Sequence, residues 1–148
     1  KNLLTFRKEI SEVKNWAITQ INKIPKSQRK LVTSHDAFQY FGKSFGMSVV
    51  ALQGISTTTE AGLGDRANLV DLIKRQKIKA IFIESSVNPD AINEVANECN
   101  VQVGGKLFSD ALGAKNRYAI GPEGKSFSTD TWSGMMIHNV NTIVNALK

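Results

Sequence analysis

The chain has 148 residues, of which 41% are hydrophobic and 22% are charged, and its formal net charge is +6. These values are typical of one globular domain, and they exclude a collagen-like or disordered chain. The single cysteine excludes an internal disulfide and a cysteine-based zinc site. Lysines and arginines are scattered without interleaved aromatic residues, so we interpret them as a solvated surface and not as a nucleic-acid interface.

Residues 1–24 form the first predicted element. Hydrophobic side chains recur there every three or four residues, which predicts one long amphipathic helix that ends before Pro25. The pattern is already established at Leu3, and the sequence does not begin with methionine. We therefore expect residue 1 to be a cut within a longer helix. No apolar run approaches the roughly 18 residues that a membrane span needs.

Strand and helix patterns alternate along the rest of the chain. This alternation predicts an α/β fold with about four parallel strands and helices on both faces of the sheet. The predicted strands are residues 30–33, 48–52, 80–83 and 101–108, and the predicted helices are residues 37–45, 66–76, 89–98 and 130–147. Asp36, Asp65 and Asn88 stand where helix caps belong. Gly104 and Gly105, inside the fourth strand, predict a bulge or a close backbone approach.

Two further stretches are typical of loops. Residues 55–64 are rich in serine, threonine and glycine, and residues 114–129 are long, polar and glycine-bearing. Loops of this length in a compact domain are usually functional or mobile. Glu60, in the first loop, either lines the mouth of a cleft or is a solvated carboxylate, and we favour the second interpretation.

Polar side chains follow each predicted strand. His35 and Asp36 follow the first strand, Gln53 the second, Glu84 the third and Asp110 the fourth. Parallel strands end at the same edge of a sheet, where open α/β sheets bind their ligands, so we expect these side chains to converge. An imidazole and carboxylates together suit a divalent cation such as zinc or manganese. The spacing alone leaves a hydrogen-bonded polar rim as the alternative.

Several segments resemble the C-terminal lobe of the metal-binding solute-binding proteins of zinc and manganese ABC transporters. The specific motifs are SHDAF at residues 34–38 and SDALG at residues 109–113, and LVDLIKRQKIKAIFIESSVNP and GMMIHNVNTIVNAL add to them. The resemblance covers nearly the whole chain in the right order. It implies that residues 1–24 are the C-terminal part of the helix that joins two lobes. Residues 25–148 would then be the C-terminal metal-binding lobe, without its N-terminal lobe.

The resemblance also implies a set of ligands. In that family each lobe donates two side chains to one metal ion, and the pair of the C-terminal lobe falls on His35 and Asp110. Glu84 is either an acceptor that holds the His35 ring or a capping carboxylate for the helix that follows it. We interpret Asp36 as a helix cap. We interpret His138, inside the last predicted helix, as a packing or surface residue.

The function implied by the resemblance is extracytoplasmic capture of Zn(II) or Mn(II) for ABC-type import, in the periplasm or at the cell surface. The implied partners are the missing N-terminal lobe and an ABC permease, with no nucleic acid and no organic cofactor. Membrane contact would come only through the permease or a lipid anchor outside this chain. The alternative is an α/β enzyme that uses the same edge as an active site. That alternative lacks a phosphate-binding glycine loop, a P-loop lysine and a nucleophile elbow, although Ser34 stands beside His35.

Overall fold

The computed structural model describes residues 2–54 and 62–148. Within these ranges the helices are α1 (Asn2–Ile21), α2 (Gln39–Phe45), α3 (Leu63–Gln76), α4 (Asp90–Cys99) and α5 (Trp132–Leu147). The strands are β1 (Lys30–His35), β2 (Ser48–Gln53), β3 (Ala80–Glu84), β4 (Gln102–Leu107), β5 (Tyr118–Ile120) and β6 (Ser126–Ser128). None of the helices in the two ranges has the length and apolar character that crossing a membrane requires.

Four strands form the centre of the fold as two parallel ladders. β1 pairs with β2, and β3 pairs with β4. β1 and β3 contact each other between the ladders, which gives the spatial order β2-β1-β3-β4. The last residues of β1 and β3, His35 and Glu84, hydrogen-bond to each other, so both ladders end at the same edge. The predicted α/β class with parallel strands is confirmed.

Helices cover both faces of these strands. In β1, Leu31 packs among residues of α1, α2 and α5, whereas its neighbour Val32 packs among residues of α3 and α4. In β3, Phe82 packs on the same side as Leu31, and its neighbour Ile81 packs on the same side as Val32. Successive side chains of a strand point to opposite faces, so burial on both faces explains the largely apolar strand sequences.

The glycine pair in β4 forms the predicted bulge. The register of β4 against β3 shifts by one residue there. A Cβ atom at Gly104 would lie 2.7 Å from side-chain atoms of both Phe82 and Ala146. Gly105 has a φ of +137°, which side-chain-bearing residues rarely adopt. Both the bulge and the close approach are confirmed, because α5 packs directly against β4 at this point.

Helix α1 ends at Ile21, earlier than the predicted limit at residue 24. Arg29 donates from its guanidinium to the carbonyl oxygens of Ile24 at 3.1 Å and Asn22 at 3.5 Å. Arg29 thereby gives a hydrogen-bond partner to two carbonyl oxygens that lie between the end of α1 and Pro25.

Two other local predictions are wrong. Residues 114–129 are not only a loop, because they contain the antiparallel hairpin of β5 and β6, whose strands have three residues each and are too short to show alternation. Asp36 does not cap α2, because a turn at Ala37 separates β1 from a helix whose N-cap residue is Phe38. Asp36 instead accepts a hydrogen bond of 2.8 Å from the side chain of Gln39.

Neither Asp65 nor Asn88 is the N-cap residue of its helix, but both accept a hydrogen bond near the helix start. Asp65 is the third residue of α3 and accepts a hydrogen bond of 3.2 Å from the backbone N–H of Gly62, the N-cap residue. The side-chain oxygen of Asn88 accepts a hydrogen bond of 3.0 Å from the backbone N–H of Asp90. Both contacts satisfy N–H groups that lack a partner within the helix. The interpretation of Glu60 lies outside the described residues.

Candidate metal centre

His35 and Glu84 form a buried pair at the common edge of β1 and β3. The backbone N–H of His35 donates to Oε1 of Glu84 at 2.9 Å, and Nδ1 lies 2.6 Å from Oε2. The two side chains are 4% and 0% exposed. An ionised carboxylate only accepts hydrogen bonds, so we assign the ring proton to Nδ1. The contact that the first interpretation of Glu84 requires is therefore present, and Nε2 is left with its lone pair.

Burial raises the pKa of the Glu84 carboxyl above its ordinary value. The backbone N–H of His35, the positive charge that its ring carries when protonated, and a hydrogen bond from the Ser109 side chain act in the opposite direction, while the negative charge of Asp110 adds to the rise. A buried carboxylate without such partners would be costly, and these hydrogen bonds hold Glu84 in place beside the imidazole ring. The close contact of 2.6 Å between Nδ1 and Oε2 leaves the ring little freedom to rotate.

Asp110 supplies the second carboxylate of this edge. It follows β4, and its Oδ2 lies 3.2 Å from Nε2 of His35. Its side chain is 60% exposed, in contrast to Glu84. Ser86 donates to the same oxygen at 3.1 Å. The imidazole therefore lies between a buried carboxylate on Nδ1 and an exposed one on Nε2.

The distance between Nε2 of His35 and Oδ2 of Asp110 bears on whether the two atoms could bind one ion. Because the ring proton is assigned to Nδ1, Nε2 presents a lone pair to an oxygen of Asp110 that is also an acceptor. Two acceptors this close repel each other unless a proton or a metal ion lies between them. Two ligand atoms about 2.1 Å from one ion lie about 3.0–3.4 Å apart for angles between about 90° and 109°. The observed 3.2 Å falls in this range.

Helix α5 fixes the backbone that carries Asp110. The buried side chain of Asn139 donates to the carbonyl oxygen of Phe108 at 2.7 Å and accepts from the Phe108 N–H at 2.9 Å. His138 packs its ring against Phe108, with Nε2 2.9 Å from the carbonyl oxygen of Lys106. His138 thus has the packing role that the sequence predicted. Asn139 was not predicted from the sequence, although a polar side chain on an otherwise apolar helix face was a signal.

The remaining strand-end residues do not enlarge the donor set. Gln53 lies opposite His35 in the register of β1 and β2, and Asp36 turns to the side chain of Gln39. Across residues 2–54 and 62–148, no three His, Cys, Asp or Glu side chains are arranged to hold a metal ion. The edge therefore offers two donor atoms, Nε2 of His35 and Oδ2 of Asp110.

Comparison with known proteins decides the family. The model of the ZnuA family, described as zinc-uptake complex component A, periplasmic, matches residues 1–146. The chain belongs to the ZnuA family. The manganese-binding lipoprotein MntA of Bacillus subtilis is 42% identical over 153 residues, which cover 100% of this chain and 47% of MntA. The zinc-binding protein TroA of Treponema pallidum is 37% identical over 147 residues, which cover 96% of this chain and 44% of TroA.

Solved structures agree with membership of the ZnuA family. The periplasmic zinc-binding protein TroA from Treponema pallidum superimposes with a TM-score of 0.87 at 35% identity, over 97% of this chain and 50% of the TroA chain. A Mn-bound mutant of a periplasmic metal-binding protein from Candidatus Liberibacter asiaticus gives a TM-score of 0.79 at 26% identity, over 98% of this chain and 51% of the other. The chain thus spans about half the length of the relatives it matches.

Proposed function

We propose that this chain is the C-terminal metal-binding half of an extracytoplasmic solute-binding protein that captures Zn(II) or Mn(II) for an ABC-type importer. The observation that carries the proposal is the pair of donor atoms on one edge of the strands, Nε2 of His35 and Oδ2 of Asp110, 3.2 Å apart. Imidazole nitrogen and carboxylate oxygen are donors that both metals accept. Relatives in the same family are named for binding manganese or zinc.

Each of the three side chains has a distinct role in this proposal. His35 binds the metal through neutral Nε2, and Asp110 supplies an oxygen ligand and a negative charge. The Glu84 carboxylate lies against the protonated Nδ1 of the ring. This contact keeps the lone pair of Nε2 free to bind the metal and makes the imidazole a stronger ligand. The exposed Asp110 side chain marks the direction from which further ligands approach.

Two ligands are fewer than the four of a closed zinc site. The remaining ligands therefore come from an N-terminal lobe, in keeping with a chain that spans about half of its relatives. Helix α1 is then the end of the helix between the lobes, and residues 25–148 are the C-terminal lobe. Leu3, Leu4 and Phe6 are large exposed apolar side chains at the start of α1, and such surfaces favour a covering partner.

The location and the other partners follow from the same family membership. Relatives are described as periplasmic or as lipoproteins, so we place this protein outside the cytoplasm. Its partners are the N-terminal lobe and an ABC permease, and it reaches the membrane through the permease or through a lipid anchor outside this chain. The metal ion is its cargo, and the proposal includes no organic cofactor and no nucleic acid.

We favour metal binding over an enzymatic role for this edge. A hydrolase that used His35 as a base would need a hydroxyl nucleophile bonded to its ring nitrogen. Within the part of the chain that the structure describes, no hydroxyl group hydrogen-bonds to Nε2. Ser34, next to His35, is buried without such a bond, and Ser86 donates to Asp110 instead.

The proposal is tested by titrating the chain with Zn(II) and Mn(II) in a competition assay with a chromophoric chelator. We expect one weak site per chain. Loss of an outer partner of a metal ligand costs about 10–100-fold in affinity, so the loss of a ligand in His35→Ala or Asp110→Ala should cost more than about 100-fold.

Two variants serve as matched controls. His138→Ala removes the other histidine, and Asp71→Ala removes an exposed carboxylate of α3. Both should keep wild-type affinity, and circular dichroism should show that all four variants are folded. If both His35→Ala and Asp110→Ala bind the metal as tightly as the wild type, the metal binds at another site and the proposal is overturned.

A further inference from the structure

Two serine hydroxyls lie beside the Asp110 carboxylate. Ser86, shortly after the end of β3, donates to Oδ2 of Asp110 at 3.1 Å. Oγ of Ser109 lies 3.0 Å from Oγ of Ser86 and 3.5 Å from Oδ2. The contact with Ser86 joins the segments that follow β3 and β4. It does so at the same carboxylate oxygen that faces Nε2 of His35.

The two donor atoms of the candidate site are held very differently. His35 is buried, its backbone N–H donates to Glu84, and its ring lies against the same carboxylate, with 2.6 Å between Nδ1 and Oε2. Asp110 is 60% exposed, so its side chain has more freedom to rotate and has more rotational entropy to lose when it binds a metal. Among the described contacts of Asp110, the hydrogen bond from Ser86 is the one that fixes Oδ2 from another strand end.

We propose that Ser86 is a positioning residue of the metal site, whose hydroxyl holds Oδ2 of Asp110 toward Nε2 of His35. This inference rests on the proposed function and deepens it. A hydrogen bond from a hydroxyl to an ionised carboxylate is stronger than one between neutral groups. The single proton of the Ser86 hydroxyl can be donated to Oδ2 of Asp110 at 3.1 Å or to Oγ of Ser109 at 3.0 Å, and the charge of the carboxylate favours Oδ2.

The positioning role predicts a specific consequence for affinity. Without the Ser86 hydroxyl, the Asp110 carboxylate samples more orientations, and the metal must restrict them when it binds. The loss of one such hydrogen bond corresponds to about a three- to tenfold weaker affinity. The fold is unaffected, because the Ser86 side chain is exposed.

The test compares three variants of the chain. Ser86→Ala removes the hydroxyl, Ser86→Thr keeps it, and Ser85→Ala removes a neighbouring exposed hydroxyl that makes no hydrogen bond within the described residues. Dissociation constants are measured for Zn(II) and Mn(II), and the visible absorption of bound Co(II) reports the ligand geometry. Ser86→Ala should bind about three- to tenfold more weakly with an altered Co(II) spectrum, whereas the other two should stay within about twofold of wild type.

Unfolding of the metal-free proteins separates positioning from a purely structural role. All three variants should unfold at the wild-type midpoint. If Ser86→Ala has the same metal affinity as Ser85→Ala and an unchanged Co(II) spectrum, the inference is overturned. It is also overturned if the weaker binding of Ser86→Ala is accompanied by a lowered unfolding midpoint of the metal-free protein.

The wild type and His35→Ala distinguish this inference from the function on which it rests. If the wild type binds neither metal, or His35→Ala binds as well as the wild type, the proposed function fails and the positioning role fails with it. If the wild type binds and His35→Ala does not, a neutral Ser86→Ala overturns the positioning role alone.

Discussion

At the scale of single residues, the two nitrogens of His35 have different environments. Nδ1 faces the fully buried Glu84, and Nε2 faces the exposed Asp110. Because Glu84 also accepts from the His35 backbone N–H, the ring has a fixed position relative to β3. In the proposed site, a metal ion at this edge would meet the nitrogen Nε2 of His35 and a carboxylate oxygen of Asp110 that accepts a hydrogen bond from Ser86.

The role of Glu84 is tested by Glu84→Gln. An amide keeps one accepting oxygen but cannot accept from both the backbone N–H and Nδ1 of His35 at separate oxygens. We expect the affinity for Zn(II) to fall about 10–100-fold in a competition titration. Glu123→Gln, which changes an exposed glutamate paired with Lys125, is the matched control and should bind normally. Equal affinities of the two variants would contradict the role assigned to Glu84.

The same variant tests the raised pKa of Glu84. A carboxyl whose pKa is higher in the folded than in the unfolded state stabilises the fold at acid pH, and this contribution disappears as pH rises through the folded pKa. We therefore expect the unfolding free energy of the metal-free wild type, relative to Glu84→Gln, to fall as pH rises above the ordinary glutamate pKa of about 4.3. Urea unfolding at a series of pH values measures it, and a relative stability that rises with pH would contradict the assignment.

Much of this edge could be predicted from the sequence, because polar residues at the ends of parallel strands must share an edge. His35, Glu84 and Asp110 were identified in that way. The spatial order of the strands could not be read from the sequence. Neither the contacts of Glu84 with the backbone N–H and the ring of His35 nor the hydrogen bond from Ser86 to Asp110 was therefore predictable.

At the scale of elements, α5 organises the second half of the chain. Its Asn139 side chain holds the backbone of Phe108 just before Asp110, and its Ala146 packs where Gly104 leaves room in β4. Near its start, a Cβ atom on Gly134 would lie 2.0 Å from the carbonyl oxygen of Ser128, so α5 also lies directly against β6.

This close approach predicts a large effect of Gly134→Ala. The added methyl group would collide with backbone atoms of Ser128 that have little room to move, so we expect a loss of about 1–3 kcal/mol of unfolding free energy. Gly64→Ala is the control, since it lies at the start of α3 with no atom within 4 Å of its Cβ position. Gly64→Ala should be stabilising by about 0.5–1 kcal/mol. Urea unfolding measures both, and equal stabilities would contradict this packing.

The order of the central elements was predictable because short apolar runs alternate with helical periodicity along the chain. The four parallel strands and the five helices of the described residues were all predicted, and the bulge at Gly104 was indicated by its glycine pair. The hairpin of β5 and β6 was missed because its strands have three residues each. The start of α2 was misplaced because the turn at Ala37, which pushes the helix start beyond Asp36, depends on local backbone bonds.

At the scale of the whole molecule, the chain has the fold of about half of a ZnuA-family protein. Its candidate metal edge offers two donor atoms, and the start of α1 exposes Leu3, Leu4 and Phe6. Family membership was predictable from the SHDAF and SDALG motifs. The identity of the metal was not, because two donors that suit both zinc and manganese do not choose between them.

The central claim is that His35 and Asp110 bind one metal ion. It is tested most directly by anomalous diffraction at the metal edge from crystals of this chain grown with Zn(II) or Mn(II). We predict one anomalous peak about 2.0–2.2 Å from both Nε2 of His35 and a carboxylate oxygen of Asp110, with Nδ1 still in contact with Glu84. A bound ion at another place, with His35 and Asp110 free of metal, would contradict the account.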